Sequence, residues 1–251
     1  MRSNPRQRKE GLDLGSGRRI GAEGTREARA PVSDLGRDIA HVLRIAAMAA
    51  IDHLMWAVPD LAAGVDRLES LTGVRAAPGG AHPGMGTANA LLGLGPGVYL
   101  EVIGPDAALG EPTGFGALLA ALDAPELRSW AIRTHDIDTA CVALTAMGWP
   151  TEPRAMTRTT PDGTTLAWHV AIVPGRPIGD RWPFLIDWGA SPHPSEGAPP
   201  GGTLDALTQT DPDPASLRQV LHLMSCDEVE VGEGDATLTA RVRSPAGIVE
   251  L

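Results

Sequence analysis

Residues 79–92 read GGAHPGMGTANALL, with four glycines, a proline and a histidine ahead of a short apolar run. Three chemistries start from such a stretch: a phosphate cradle, a metal site built on His82, or a turn between strands, because glycine both admits close backbone approach and permits φ > 0. The nucleotide reading weakens first. GMGTAN opens like G-x-G-x-x-G, but it lacks the third glycine and leads into a strand pattern rather than a helix. The only lysine is Lys9, so a P-loop lysine, a Schiff-base lysine and a lysine general base are all missing from the rest of the chain. No H-E-x-x-H, G-x-S-x-G or C-x-x-C occurs either. No nucleotide cofactor is expected.

The elements that must position any site follow from punctuation and periodicity. IDHLMWAVPDL (51–61) is apolar enough for a buried strand, and residues 62–73 carry helical spacing of Val65, Leu68 and Leu71 before a glycine stop. Strand-like pieces follow at 74–77, 88–94 and 97–103, giving β-α-β-β-β. The order repeats from RSWAIRT (128–134) through a helix over 138–147 to WPTEPRAM, TTLAWHVAIV and PFLIDWG. It recurs in shorter form from TLDALTQT (203–210) to the last residue. Three copies of one unit at a period of roughly 50 to 75 residues argue for duplication. The chain thus divides into a basic tail (1–47), module one (48–107), a connecting segment (108–127), module two (128–196) and a short third module (203–251). The third must hide its apolar face, against an edge of the first two or against its twin in a homodimer.

Composition bounds the partners. A chain of 251 residues with 43% apolar and 21% charged residues is that of an ordinary globular protein able to bury a core. The net charge of −10 is uneven: residues 1–47 hold 10 Lys and Arg against 6 Asp and Glu, and the remainder holds 11 against 25. That acidic body should repel nucleic acid and anionic membranes. The tail, rich in Arg, Gly and Glu and poor in aromatics, reads as disordered, and Met48 as an alternative start. Two cysteines, Cys141 and Cys226, make no disulfide framework. With no targeting signal or spanning apolar run, the cytoplasm is the expected compartment.

Alternation along strands sorts the side chains. His53, Met55 and Ala57 share one face while Asp52, Leu54 and Trp56 share the other; Tyr99, Glu101 and Ile103 share a face on the fourth strand. DHLMWAVPDL, GGAHPGMGTAN, VYLEVIGPD and PFLIDWGASPHPS, in that order over roughly residues 50–251, together resemble the glyoxalase-like domain family. That family lies in the vicinal oxygen chelate superfamily of glyoxalase I, extradiol dioxygenases and bleomycin-resistance proteins. The resemblance implies an α+β fold in which two βαβββ modules curl into one open, cup-shaped mixed sheet. Metal ligands would come from the first and fourth strands of each module. His53 and Glu101 match the first pair; Ser129 falls opposite His53, and Asp187 opposite Glu101.

The implied ligand set is therefore His53, Glu101 and Asp187, for a divalent Mn, Fe, Ni or Zn ion, with Glu101 moving a proton. The alternative is a hydrogen-bonded His–Glu pair without metal, with Asp187 paired to Arg133 or Arg181. Around the cup, His82 and Asn89 become rim contacts, Arg133 and Arg158 suit a substrate carboxylate or phosphate, and Trp168 offers an aromatic wall. Trp56, Trp130 and Trp188 read first as core. Two functions of different class remain open. One is a metal-dependent lyase, isomerase or dioxygenase acting on a small oxygenated substrate; the other is a metal-free protein that sequesters a small molecule.

Overall fold

A computed structural model describes residues 49–82 and 84–251. The tail, the alternative start at Met48 and the turn-setting role of Pro83 all lie outside the described residues.

Strand β1 (Ala50–Ala57) is buried over nearly its whole length, as its apolar run requires. Helix α1 (Leu61–Thr72) follows it. The Asp60 carboxylate caps its start by accepting from Ala63 N at 2.9 Å, and Gly73 ends it at φ 75°. Strands β2 (Ala77–His82), β3 (Thr87–Gly93) and β4 (Tyr99–Pro105) complete the first half. The second half runs β5 (Glu126–Arg133), α3 (Ile137–Ala146), β6 (Pro153–Thr159), β7 (Thr165–Ala171) and β8 (Pro183–Asp187). Between the halves, the expected connection holds a helix of its own, α2 (Gly114–Ala120).

The eight strands close in the order β1-β4-β3-β2-β6-β7-β8-β5. The expected open cup is therefore a closed barrel. Two seams close it: β1 and β5 pair over their full lengths, whereas β2 meets β6 through one residue pair, Ala81 with Thr159. Alternation splits the apolar side chains. Leu54, Trp56, Leu100, Val102, Trp130 and Ile132 join the core outside the barrel wall, and Met55, Tyr99, Ile103, Ala131, Phe184 and Ile186 form a second core within it.

The C-terminal segment forms a separate sheet from β9 (Thr203–Asp211), β10 (Glu230–Glu233), β11 (Thr237–Ser244) and β12 (Gly247–Glu250), with α4 (Pro214–Leu223) between β9 and β10. Its order, β10-β9-β11-β12, departs from the pattern of the other two units. There the first strand pairs in parallel with the fourth; here β9 pairs in parallel with the second strand and antiparallel with the third. Its apolar face is hidden against the barrel: Leu207, Leu238, Ala240 and Val242 share one core with Trp130, whose Nε1 donates to Gln209 Oε1 at 3.0 Å. Among the described residues no helix is long and apolar enough to cross a membrane.

Candidate functional site

The barrel surrounds a narrow, half-open cavity of about 60 Å³. Its wall is apolar and adaptable, with Met55, Met156, Phe115, Trp168, Phe184 and Trp188 among the lining side chains. Its polar groups are neighbours, and strand alternation turns them inward: His53 on β1, Glu101 on β4 and Asn89 on β3.

His53 is held from behind. Its Nδ1 lies 2.7 Å from Asp52 Oδ1; a carboxylate only accepts, so Nδ1 carries the proton and Nε2 keeps its lone pair. The Tyr99 ring stacks on the imidazole at 4.7 Å, and burial pushes the Tyr99 phenol well above its ordinary range, aided by the charges of Asp52 and Glu101. His53 Nε2 points toward Glu101, 3.9 Å from Oε2. Asn89 Nδ2 donates to Glu101 Oε1 at 2.5 Å, and Asn89 Oδ1 accepts from Arg158 Nη1 at 3.0 Å. His82 Nε2 stands 3.7 Å from the same Glu101 oxygen. Burial depresses the proton affinity of His82; Glu101 pulls it back up and Arg158 pushes it further down.

Asp52 is fully buried and accepts from three side chains: His53 Nδ1, His193 Nε2 at 2.8 Å and Trp188 Nε1 at 3.2 Å. Burial works against its charge, but the bonds from His193 and His53 outweigh that and hold the carboxyl well below its usual range. His193 sits beside a short 3-10 turn (Pro194–Glu196), its Nδ1 2.7 Å from Ser195 Oγ. Alternation put Asp52 on the far face from His53 and so missed this role. A register shift on β1 between Ile51 and His53 breaks the alternation at that point. The only signal in the sequence is the adjacent Asp-His pair at a strand start.

His53, Glu101, His82, Asn89, Arg158 and Trp168 thus come together around one cavity. Arg133 and Asp187 do not join them. Arg133 stands at the barrel end, donating to Gly97 O at 2.8 Å, with Nη1 3.8 Å from Asp52. Asp187 lies on the other side of the sheet, where its carboxylate accepts from Gly189 N at 2.9 Å and Ile137 N at 3.4 Å, near the start of α3. The parallel register explains the miss: Met55 faces Glu101 across β1 and β4, and Ala131 faces Phe184 across β5 and β8, so the side chain matching Glu101 is Phe184. Ser129 Oγ donates to Trp182 O at 2.9 Å. Among the described residues no group of three or more His, Cys, Asp or Glu side chains is placed to hold a metal ion. The ligand set His53, Glu101 and Asp187 is not assembled, and this donor set does not fit the expected divalent ion. Asp187→Ala should then act on the start of α3 and on the turn at Gly189. It is expected to lower stability by about 1 kcal/mol in chemical denaturation and to leave ligand binding unchanged.

A family model described as a glyoxalase-like domain matches residues 51–224. Among curated proteins nothing matches the chain. Of solved structures, a hypothetical protein from Staphylococcus aureus superposes with a TM-score of 0.55 at 15% identity, covering 81% of this chain and 84% of that one. A methylmalonyl-CoA epimerase from Mycobacterium tuberculosis gives 0.40 at 19% identity over 55% of this chain and 86% of its own. The first likeness shows the fold; the second is too distant to carry an argument.

Proposed function

Because the chain belongs to the glyoxalase-like domain family of the vicinal oxygen chelate superfamily, we propose that it is an isomerase or lyase. In this reading it moves a proton on a small oxygenated substrate held in the barrel cavity. The observation that carries this is the line Asp52–His53–Glu101, a buried carboxylate orienting an imidazole whose free Nε2 and a second carboxylate face the same cavity.

Glu101 takes a proton from a carbon next to the substrate carbonyl, and the electron pair of that C–H bond passes to the carbonyl oxygen, forming an enolate. Glu101 returns the proton to the same carbon, on either face, or the enolate expels a leaving group from the adjoining carbon. Nε2 of His53 can take the proton over from Glu101, and Asp52 offsets the imidazolium that results. The apolar wall keeps bulk water from the enolate, and Arg158 supplies positive charge beside it. Divalent metals are common in this superfamily, where an ion supplies Lewis acidity.

Deuterium exchange tests this reading. Incubated in D₂O with 2-oxobutanoate, 2-oxohexanoate and phenylpyruvate, the protein is expected to accelerate exchange at C3 of at least one of them, followed by NMR. Dialysis against a chelator should leave the rate unchanged. Loss of exchange on chelation, restored by Mn, Fe(II), Ni or Zn, would establish a metal enzyme instead. Binding of these acids with no exchange at any of them would favour the sequestering protein.

A further inference from the structure

Among the described residues, the guanidinium of Arg158 has no carboxylate within salt-bridge distance. The residue is 3% exposed, its Nη1 donates to Asn89, and it forms no salt bridge among the described residues. Burying an ionised group without a partner is costly, and proteins rarely keep such a charge without a use for it. Arg158 also borders two spaces at once, the barrel cavity and a surface cleft lined by Pro78, Thr160 and Leu166. It sits next to the single pair that joins β2 to β6.

Two of the glycines in residues 79–92, Gly79 and Gly80, border this arrangement. A Cβ on Gly79 would run into Asn89 Oδ1 and Arg158 Nη1, and one on Gly80, at φ 135°, would meet the Thr159 carbonyl. Gly79 leaves the room in which the guanidinium meets the amide.

The geometry points to a substrate carboxylate as the missing counter-ion, clamped by Arg158, with Gly79 as a positioning residue and the substrate's apolar body against Met156, Trp168 and Phe184. A planar carboxylate matches the fork of the guanidinium. One amide separates the two functions: Asn89 accepts from Arg158 and donates to Glu101. A carboxylate on Arg158 therefore brings the adjoining carbons to Glu101, which selects oxo acids whose acidic C–H lies close to the carboxylate. This deepens the proton-transfer reading and rests on it for what happens at that carbon.

Calorimetry and thermal shift would be run with the three oxo acids named above, their methyl esters and inorganic phosphate. At least one acid is expected to bind and to raise the melting temperature, its ester at least about tenfold more weakly. Arg158→Gln should erase that acid–ester difference, Arg158→Lys should keep part of it, and Gly79→Ala should weaken the acid more than the ester. The acid–ester comparison on the unaltered protein stands even if a variant fails to fold. Equal affinity for acid and ester, no binding of any acid, or tighter binding of phosphate would overturn the anchor. Acid binding that depends on Arg158, with no proton exchange, would leave the anchor standing and remove the proton-transfer reading.

Discussion

Glu101→Gln is expected to slow C3 proton exchange by about 10²–10⁴-fold while leaving affinity for the oxo acid and thermal stability nearly unchanged. The amide keeps the shape of the carboxylate, and its oxygen still accepts from Asn89 Nδ2, so the bridge to Arg158 survives. What is lost is the basic oxygen facing His53 Nε2. A structural role predicts the reverse pattern, with a lower melting temperature and little change in exchange per folded molecule. His53→Ala should also slow exchange, but it removes the ring on which Tyr99 stacks and a donor to Asp52, so its stability falls as well. The informative measurement is the split between kcat and KM. If both residues act on the transferred proton, the loss lies in kcat, and the double variant is little worse than either single one. An unchanged kcat in Glu101→Gln would remove Glu101 from the chemistry.

Much of this site was legible because strands have a period of two. Alternation puts His53 with Met55 and Glu101 with Tyr99, on the faces that line the cavity, and puts Trp56 on the opposite face, in the outer core. The same rule failed where the backbone departs from regular pairing. The shift at Ile51–His53 turns Asp52 into the partner of its neighbour. Asp187 was matched to Glu101 by motif, whereas the pairing of β5 with β8 matches Phe184 to it. One residue of slip moves a side chain to the other face of a sheet. The last sheet teaches the same lesson at larger scale: the order of elements from β9 to β12 repeats the earlier units, but the choice of neighbour is set by long-range contacts that local periodicity does not contain. His193, 140 residues beyond His53, reaches Asp52 only through the closure of the barrel.

Asp52→Ala carries the largest expected cost to the fold. The carboxylate is fully buried and takes hydrogen bonds from His53, His193 and Trp188, with Arg133 3.8 Å away. Removing it strands the buried donors of His53 and Trp188 and the half-buried one of His193, a loss of about 3–5 kcal/mol. For a chain of this size that lowers the melting temperature by on the order of 10 °C. Proton linkage gives the pH signature. The folded-state pKa of Asp52 lies below its ordinary value of 3.8, so its stabilisation is fully present above that value and is lost as pH falls through it toward the depressed one. His82 acts in a higher window, because its lowered proton affinity means that the unfolded chain binds a proton more readily below about pH 6.5. The native protein should therefore lose stability in two acid steps, and Asp52→Ala should shrink the lower step, to which hydrogen-bonded Asp162 and Asp213 also contribute, while keeping the upper. Denaturant titrations from pH 7 to pH 2.5 read both steps. A variant that retains the lower step in full would show that the charge of Asp52 does not hold the barrel end together. The same substitution frees the proton on His53 Nδ1 from its acceptor, so proton exchange should fall even where the variant is fully folded. That joint loss separates an orienting carboxylate from a purely structural one.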